Sequence, residues 1–254
     1  IEPSYLRKTE PRRPPVYFVS SNTHAIANLV GGYAQRHAGE IVRWAKEANP
    51  EDLADDITRA ADTGDPATLA PFLYYLLRGY IHASPDTKKM NEVRAFEQTH
   101  GLVHLSEPGH IDVDAQIAKL CELDPALIDP RLRIPGIEKL KASDAVLVNI
   151  DYPLGMAAYH LLSRVGQGVG DLRGVYVMGK AATLNGRVGD VMLSGAVYDE
   201  HSKNSFLLRN AFTAKDIAPW LRHGSVFDNQ KAVTVRSAFL QSKEYMDGFY
   251  RSGY

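Results

Sequence analysis

The chain has 254 residues, enough for one large domain or two modest ones, and 44% of them are hydrophobic while 23% are charged. These proportions are ordinary for a globular protein, and the formal net charge of -1 excludes a global field that would draw the chain to nucleic acid or anionic lipid. Its apolar runs stay short of the roughly 18 residues that a membrane span needs. We therefore expect neither a nucleic acid nor a membrane as partner.

Cysteine usage and the two termini suggest a location. The chain has one cysteine, Cys121, which cannot form an internal disulfide, and this is typical of a reducing compartment. Residues 1–15 are polar and proline-rich, which predicts an extended arm and does not fit a signal peptide. We expect a cytoplasmic protein. The absence of an initial Met and the stop at Tyr254 favour a piece of a longer chain.

Residues 16–38 predict a first βα unit. Val16–Val19 has the composition of a strand, and Ala25–Val30 has an apolar helical pattern. The polar residues between them either cap the helix or bind an anion at its N-terminus, where free N–H groups and the helix dipole favour negative charge. The candidate residues are Ser21, Asn22 and Thr23.

Residues 39–141 predict a helical subdomain or insertion, because apolar residues recur there at helical spacing. The predicted helices are Glu40–Ala48, Pro50–Thr63, Pro66–Gly79, Lys88–Gln98 and Asp112–Leu123. We find no catalytic constellation in this region. Its loosely spaced histidines, His100, His104 and His110, fit no zinc template well, and we predict no metal and no cofactor.

Residues 142–254 predict an α/β domain in which strands alternate with helices. Strands are predicted at Ala145–Ile150, Val175–Met178, Val191–Ser194 and Ala232–Val235, and helices at Met156–Val165, Lys215–Trp220 and Glu244–Arg251. The fold class is therefore α/β.

Candidate site residues follow the strands of this domain. Asp151 comes after a buried strand, where it would either act as a base that activates water or cap the next helix. The small residues Gly155, Gly179 and Ala181 allow a ligand to approach the backbone. His201 lies in a polar loop, where it would either bind a ligand or be solvated.

Four segments in this order resemble the purine nucleoside phosphorylase/uridine phosphorylase superfamily, which includes AMP nucleosidase. They are Asn149–Ala158, Val175–Leu184, Gly189–Ser194 and the run from Thr234 to Phe239. The pair Gly179 and Lys180 is most similar to the AMP nucleosidase branch. The resemblance covers residues 145–254; before them, only the strand and turn over Val16–Thr23 fit the family.

The resemblance implies a nucleoside-phosphorylase-like fold, with a mixed central sheet flanked by helices. It also implies cleavage of the N-glycosidic bond of a purine nucleoside or nucleotide. It implies that Lys180 neutralises a phosphate, either inorganic phosphate as a possible co-substrate or a nucleotide's own phosphate. It implies that Gly155 and Met156 contact the substrate and that Phe239 stacks on the base, although core packing is an alternative for Phe239. The resemblance also implies a homo-oligomer.

The chain departs from the phosphorylase pattern at three positions. Val177 stands where hexameric phosphorylases have Arg, Lys180 stands where they have Ser or Thr, and Ala182 replaces the last Gly of the motif. The acidic Glu-Met-Glu ribose clamp is expected beyond Tyr254. We therefore expect a nucleosidase; the alternatives are a phosphate-dependent phosphorylase and a non-catalytic nucleotide-binding or assembly module.

Overall fold

The computed structural model of the chain describes residues 13–84, 87–105, 114–151, 156–169, 171–179, 182–183, 185–221 and 223–234. The chain divides into two compact units, Ile1–Gly179 and Lys180–Tyr254. The first unit is mixed α/β, with helices around a mixed sheet. Among the described residues we find no helix with both the length and the apolar character that a bilayer crossing requires.

Five strands form the sheet of the first unit. They are β1 (Pro15–Ser21), β2 (Leu102–Leu105), β3 (Ala115–Lys119), β4 (Val146–Asp151) and β5 (Asp171–Val177). Their order is β2-β3-β4-β1-β5, in which β4, β1 and β5 are parallel and the β2 and β3 edge is antiparallel. β1 is therefore central to the parallel part, and it is buried along almost its whole length.

Helices fill the long connection between β1 and β2, and one more follows β4. They are α1 (Thr23–Val30), α2 (Tyr33–Arg36), α3 (Ala38–Ala48), α4 (Ala54–Asp62), α5 (Pro66–His82), α6 (Lys88–Thr99) and α7 (Met156–Gly168). Polar side chains set two of the starts: Asn22 accepts the N–H of Ala25 at 2.7 Å in α1, and Asp65 accepts the N–H groups of Ala67 and Thr68 in α5.

Two apolar clusters hold this unit together. One joins the sheet to α1 and to the segment after β3, and its buried members are Val19, Ile26, Leu102, Ala118, Leu123 and Ile128. The other lies among α2 to α5, and its buried members are Ala34, Ile41, Ala45, Ile57, Leu73 and Leu76. The helical segment therefore buries apolar surface of its own, the dominant favourable term in folding.

The second unit contains a three-stranded sheet. Its central strand β6 (Val191–Asp199) pairs antiparallel with β7 (Asn204–Leu207) and parallel with β8 (Val226–Thr234). A short helix, α8 (Ala214–Ile217), lies between β7 and β8 and carries a capping box at Thr213.

One element assignment from the sequence is wrong. Asp112–Leu123 was expected to be a helix, but the described part of it contains the strand β3. Its burial alternates, with Gln116 and Ala118 buried and their neighbours more exposed, as in a strand between two partners. The predicted helix Glu244–Arg251 lies outside the described residues.

Candidate functional site

The carboxyl ends of three parallel strands meet at one edge of the five-stranded sheet. Ser21 and Asp151, the last residues of β1 and β4, are partners in register. Beyond β5, the N–H of Met178 donates to the carbonyl oxygen of Ser20 at 2.9 Å, which holds the chain beside β1 as it reaches Gly179. In open α/β sheets, ligands bind outside this carboxyl edge.

A cavity of about 380 Å³ lies at this edge, between the sheet and helices α1, α5 and α6. Its volume falls within the roughly 300 to 1,000 Å³ of small-molecule sites. Its polar and charged lining residues are Thr23, His24, Asn28, Tyr74, Arg78, His82, Arg94, Glu97, His104, Asp114, Gln116 and Asp151. The remaining lining residues are apolar.

A buried chain of side-chain hydrogen bonds runs from the sheet edge to the cavity. The Ser21 hydroxyl donates to Asn149 Oδ1 at 2.9 Å, and Asn149 Nδ2 donates to Gln116 Oε1 at 3.1 Å. Gln116 Nε2 then donates to the carbonyl oxygen of Thr23 at 2.8 Å and lies 3.3 Å from His104 Nδ1. Asn149 and Gln116 are fully buried, so their amides are fixed in the core and their orientation is set by these partners.

This network determines which nitrogen of His104 carries the proton. Gln116 Nε2 is a donor because its amide oxygen accepts from Asn149 and because Thr23 offers only a carbonyl oxygen. His104 Nδ1 is therefore an acceptor, and Nε2–H donates to Glu97 Oε2 at 2.6 Å. A histidine whose tautomer is fixed by its neighbours is held in one orientation at the cavity wall.

Glu97 is the most buried carboxylate of the cavity, with 3% of its surface exposed. A buried carboxylate is costly unless it is paired and hydrogen-bonded, and His104 supplies such a bond. The other two carboxylates, Asp114 and Asp151, lie at the sheet edge, where the N–H of Asp151 donates to the carbonyl oxygen of Asp114 at 3.0 Å. The backbones of Asp114 and Asp151 are therefore neighbours where β4 ends, and both residues line the cavity.

Tyr74 forms part of the cavity wall, and its hydroxyl has a structural role. Its hydroxyl donates to Asp129 Oδ2 at 2.6 Å, and burial together with this hydrogen bond raises the pKa of Tyr74 above its usual value. The phenol therefore stays protonated, and its proton is committed to Asp129.

The structure brings some of the predicted site residues together. Asp151 and Thr23 line the same cavity. Asn22 caps α1, and Ser21 is 1% exposed with its hydroxyl in the buried network. Neither of these two residues lines the cavity. Both instead contact Asn149: the Ser21 hydroxyl donates to its amide oxygen, and the Asn22 carbonyl oxygen accepts from its amide nitrogen.

Other predicted site residues lie elsewhere or outside the described part. Gly179 has open space where a Cβ would stand. His201 is an exposed turn residue between β6 and β7, and its N–H donates to Asp199. Met156 begins α7, and its side chain is not described. The predictions for Gly155, Lys180, Ala181 and Phe239 concern residues outside the described ranges.

Sequence reasoning missed most of the cavity wall. Glu97 and Arg94 lie on α6, and Arg78 lies on α5, in the region where no catalytic constellation was found. Gln116 was hidden by the wrong helix assignment. The available signal was a polar side chain within each of two apolar strands, Gln116 and Asn149. Such buried side chains need hydrogen-bond partners inside the fold.

Comparison with known proteins gave one kind of match. A family model described as "Family of unknown function (DUF6909)" matches residues 2–254. The search of curated proteins and the search of solved structures gave no match.

Proposed function

The chain belongs to the DUF6909 family, described as a family of unknown function. From the superfamily resemblance and the residues at the sheet edge, we propose that it cleaves the N-glycosidic bond of a purine nucleoside or nucleotide in the cavity at the carboxyl edge of the sheet. The observation that carries the proposal is the pairing of Ser21 with Asp151 in register beside this cavity. The superfamily resemblance assigns to the site the segments that follow β1 and β4, and the last residues of these two strands lie side by side at this edge. The nucleoside-phosphorylase-like fold is part of this proposal.

The chemistry of the reaction suits the charges at the sheet edge. The bond between C1′ and the base nitrogen breaks as the sugar acquires oxocarbenium character, so positive charge develops on the ribose. Asp151 and Asp114 supply negative charge on this side of the cavity, and carboxylates placed where positive charge develops stabilise that transition state.

Asp151 has the role of general base in this scheme. Its carboxylate accepts a proton from the attacking water as the oxygen bonds to C1′, and the departing base takes a proton from solvent on its nitrogen. Asp151 then returns its proton to solvent, so that one water is consumed and the carboxylate is regenerated. The half-buried position of Asp151 at the end of β4 puts it at the cavity wall without closing it off. A positioned base of this kind contributes roughly 10² to 10⁴ in rate.

The test is release of free base from AMP, adenosine and inosine, each measured with and without phosphate. We expect base release without phosphate from at least one of these substrates, and a fall of about 10² or more in rate for Asp151→Asn. The matched control is Asp144→Asn, because Asp144 is an exposed aspartate before the other end of β4; it is expected to keep wild-type activity.

Two outcomes would refute the hydrolytic proposal. Strict dependence on phosphate would identify a phosphorylase, and binding of these compounds without base release would identify a non-catalytic nucleotide-binding module. If base release is seen but Asp151→Asn matches wild type, the assignment of Asp151 as base is wrong.

A further inference from the structure

Two arginines line the cavity and have no side-chain partner among the residues that the structure describes. Arg78 belongs to α5 and Arg94 to α6, and both are exposed to solvent. In the part of the chain that the structure describes, neither guanidinium has a hydrogen bond or an ion pair. Elsewhere in the first unit, Arg131 and Arg173 each pair with a nearby aspartate. The cavity arginines are therefore available to a ligand.

The carboxylates of the cavity do not neutralise these arginines. Glu97 is bonded to His104, and Asp114 and Asp151 belong to the sheet edge. The two carboxylates that are not bonded to a histidine thus come from the sheet edge, and the two guanidiniums come from the helices; the third carboxylate, Glu97 on α6, is bonded to His104. A ligand that complements this lining has a hydroxyl-bearing or electron-poor part facing the carboxylates of the sheet edge. It also has a separate anionic group facing the arginines.

The remaining lining groups on the helical side are also suited to an anion. His24 lies in the first turn of α1 and His82 in the last turn of α5. The first turn of α1 contributes Thr23 as well, and the positive end of a helix dipole favours a negative group. The main anion-binding groups are the two arginines, because each planar guanidinium can donate two parallel N–H bonds to phosphate oxygens.

We propose that Arg78 and Arg94 bind a phosphate group in this cavity, so that the helical segment between β1 and β2 forms one half of the ligand site. The phosphate belongs either to a nucleotide or to free inorganic phosphate bound beside a nucleoside. The inference rests on the proposed function in placing a nucleoside or nucleotide in this cavity.

The test is a calorimetric titration of the full chain with AMP, adenosine and inorganic phosphate, the last both alone and with adenosine present. Arg78→Ala and Arg94→Ala are each expected to weaken binding of the phosphate-bearing probe about tenfold or more, while adenosine affinity stays within about twofold. Arg78→Lys and Arg94→Lys keep the charge and lose the planar fork, so we expect smaller losses.

The matched control is Arg43→Ala, which removes an exposed arginine of α3 that does not line the cavity. Its AMP and phosphate affinities are expected to equal those of wild type. Circular dichroism of every variant checks that the fold is kept. Higher salt is expected to weaken phosphate binding to wild type, since exposed charges are screened.

The source of the phosphate follows from which probe responds. If the alanine variants lose affinity for AMP alone, the arginines bind a nucleotide phosphate. If they lose affinity for inorganic phosphate alone, the arginines bind a second substrate. Either result supports the inference. Unchanged affinities in both alanine variants, equal losses for AMP and adenosine, or no binding of either phosphate probe to wild type would overturn it.

Base release measured on the same samples separates this inference from the proposed function. Arginine-dependent AMP binding without base release supports the phosphate site and refutes glycosidic cleavage. Base release from AMP, or phosphate-dependent release from adenosine, that both alanine variants keep at the wild-type rate and affinity supports cleavage and refutes the phosphate site.

Discussion

At the scale of single residues, the contact between Glu97 and His104 is the most consequential pair of the cavity wall. The carboxylate is almost fully buried, whereas 20% of the imidazole side chain is exposed. Gln116 Nε2 donates to the other ring nitrogen, Nδ1, and the Gln116 amide oxygen accepts from Asn149. The amides of Gln116 and Asn149 therefore connect this pair to Ser21 at the sheet edge through hydrogen bonds.

We expect His104→Ala to lower the free energy of unfolding by about 2 to 3 kcal/mol, because it leaves the Glu97 carboxylate buried without its hydrogen-bond donor. Urea unfolding of the variant measures this loss. Adding Glu97→Gln to His104→Ala removes the buried charge, so the double variant is expected to be more stable than His104→Ala alone. A His104→Ala protein as stable as wild type would contradict this account.

At the scale of elements, Asp129 joins three segments of the first unit. Its N–H donates to the carbonyl oxygen of Leu29 at the end of α1, and its carboxylate accepts from Tyr74 of α5 and from Arg131 in the following 3-10 turn. Burial alone would raise the pKa of Asp129, but the hydrogen bonds from Arg131 and Tyr74 outweigh burial and lower it. The ionised carboxylate is thus the stabilising form.

The pH dependence of stability follows from this lowered pKa. The stabilisation is present above the unfolded-state pKa of about 3.9 and is lost as the pH falls through the lower folded-state value. We expect Asp129→Asn to lower the free energy of unfolding at pH 7 by about 1 to 3 kcal/mol, with a smaller difference from wild type in acid. Urea unfolding at several pH values measures both. Asp144→Asn, at an exposed position, is the control; a difference independent of pH would contradict the assignment.

At the scale of the whole molecule, the two units differ in how much apolar surface they bury. Both apolar clusters lie in the first unit, and among the described residues of the second unit only Leu193 belongs to the buried hydrophobic set. The five-stranded sheet and every residue that lines the cavity also belong to the first unit. This unit therefore contains what its own folding and the cavity require.

We expect residues 1–179, expressed alone, to unfold cooperatively in urea and to bind the same phosphate-bearing probe as the full chain. The reason is that hydrophobic burial is the main favourable term in folding, and this segment carries both clusters. Circular dichroism and calorimetry make the two measurements. A fragment that lacks a cooperative transition would show that the first unit depends on residues after Gly179.

The sequence alone predicted the α/β class and most of the strong elements. β1, β4 and α5 were recognisable because hydrophobic periodicity and capping residues act over neighbouring positions. The strand β3 was missed because its alternation is short and its identity depends on pairing with β2 and β4. Such pairing is a property of distant segments.

The site divides in the same way. The sequence by itself determined that Asp151 follows a buried strand and that polar residues precede α1, since both are local patterns. Only the tertiary structure decided that the ends of β1 and β4 lie side by side, that Glu97 and His104 pair, and that Arg78 and Arg94 share a cavity with Asp151. The physical reason is that strand register and helix packing bring together residues many positions apart, and no local pattern along the chain encodes which distant residues will become neighbours.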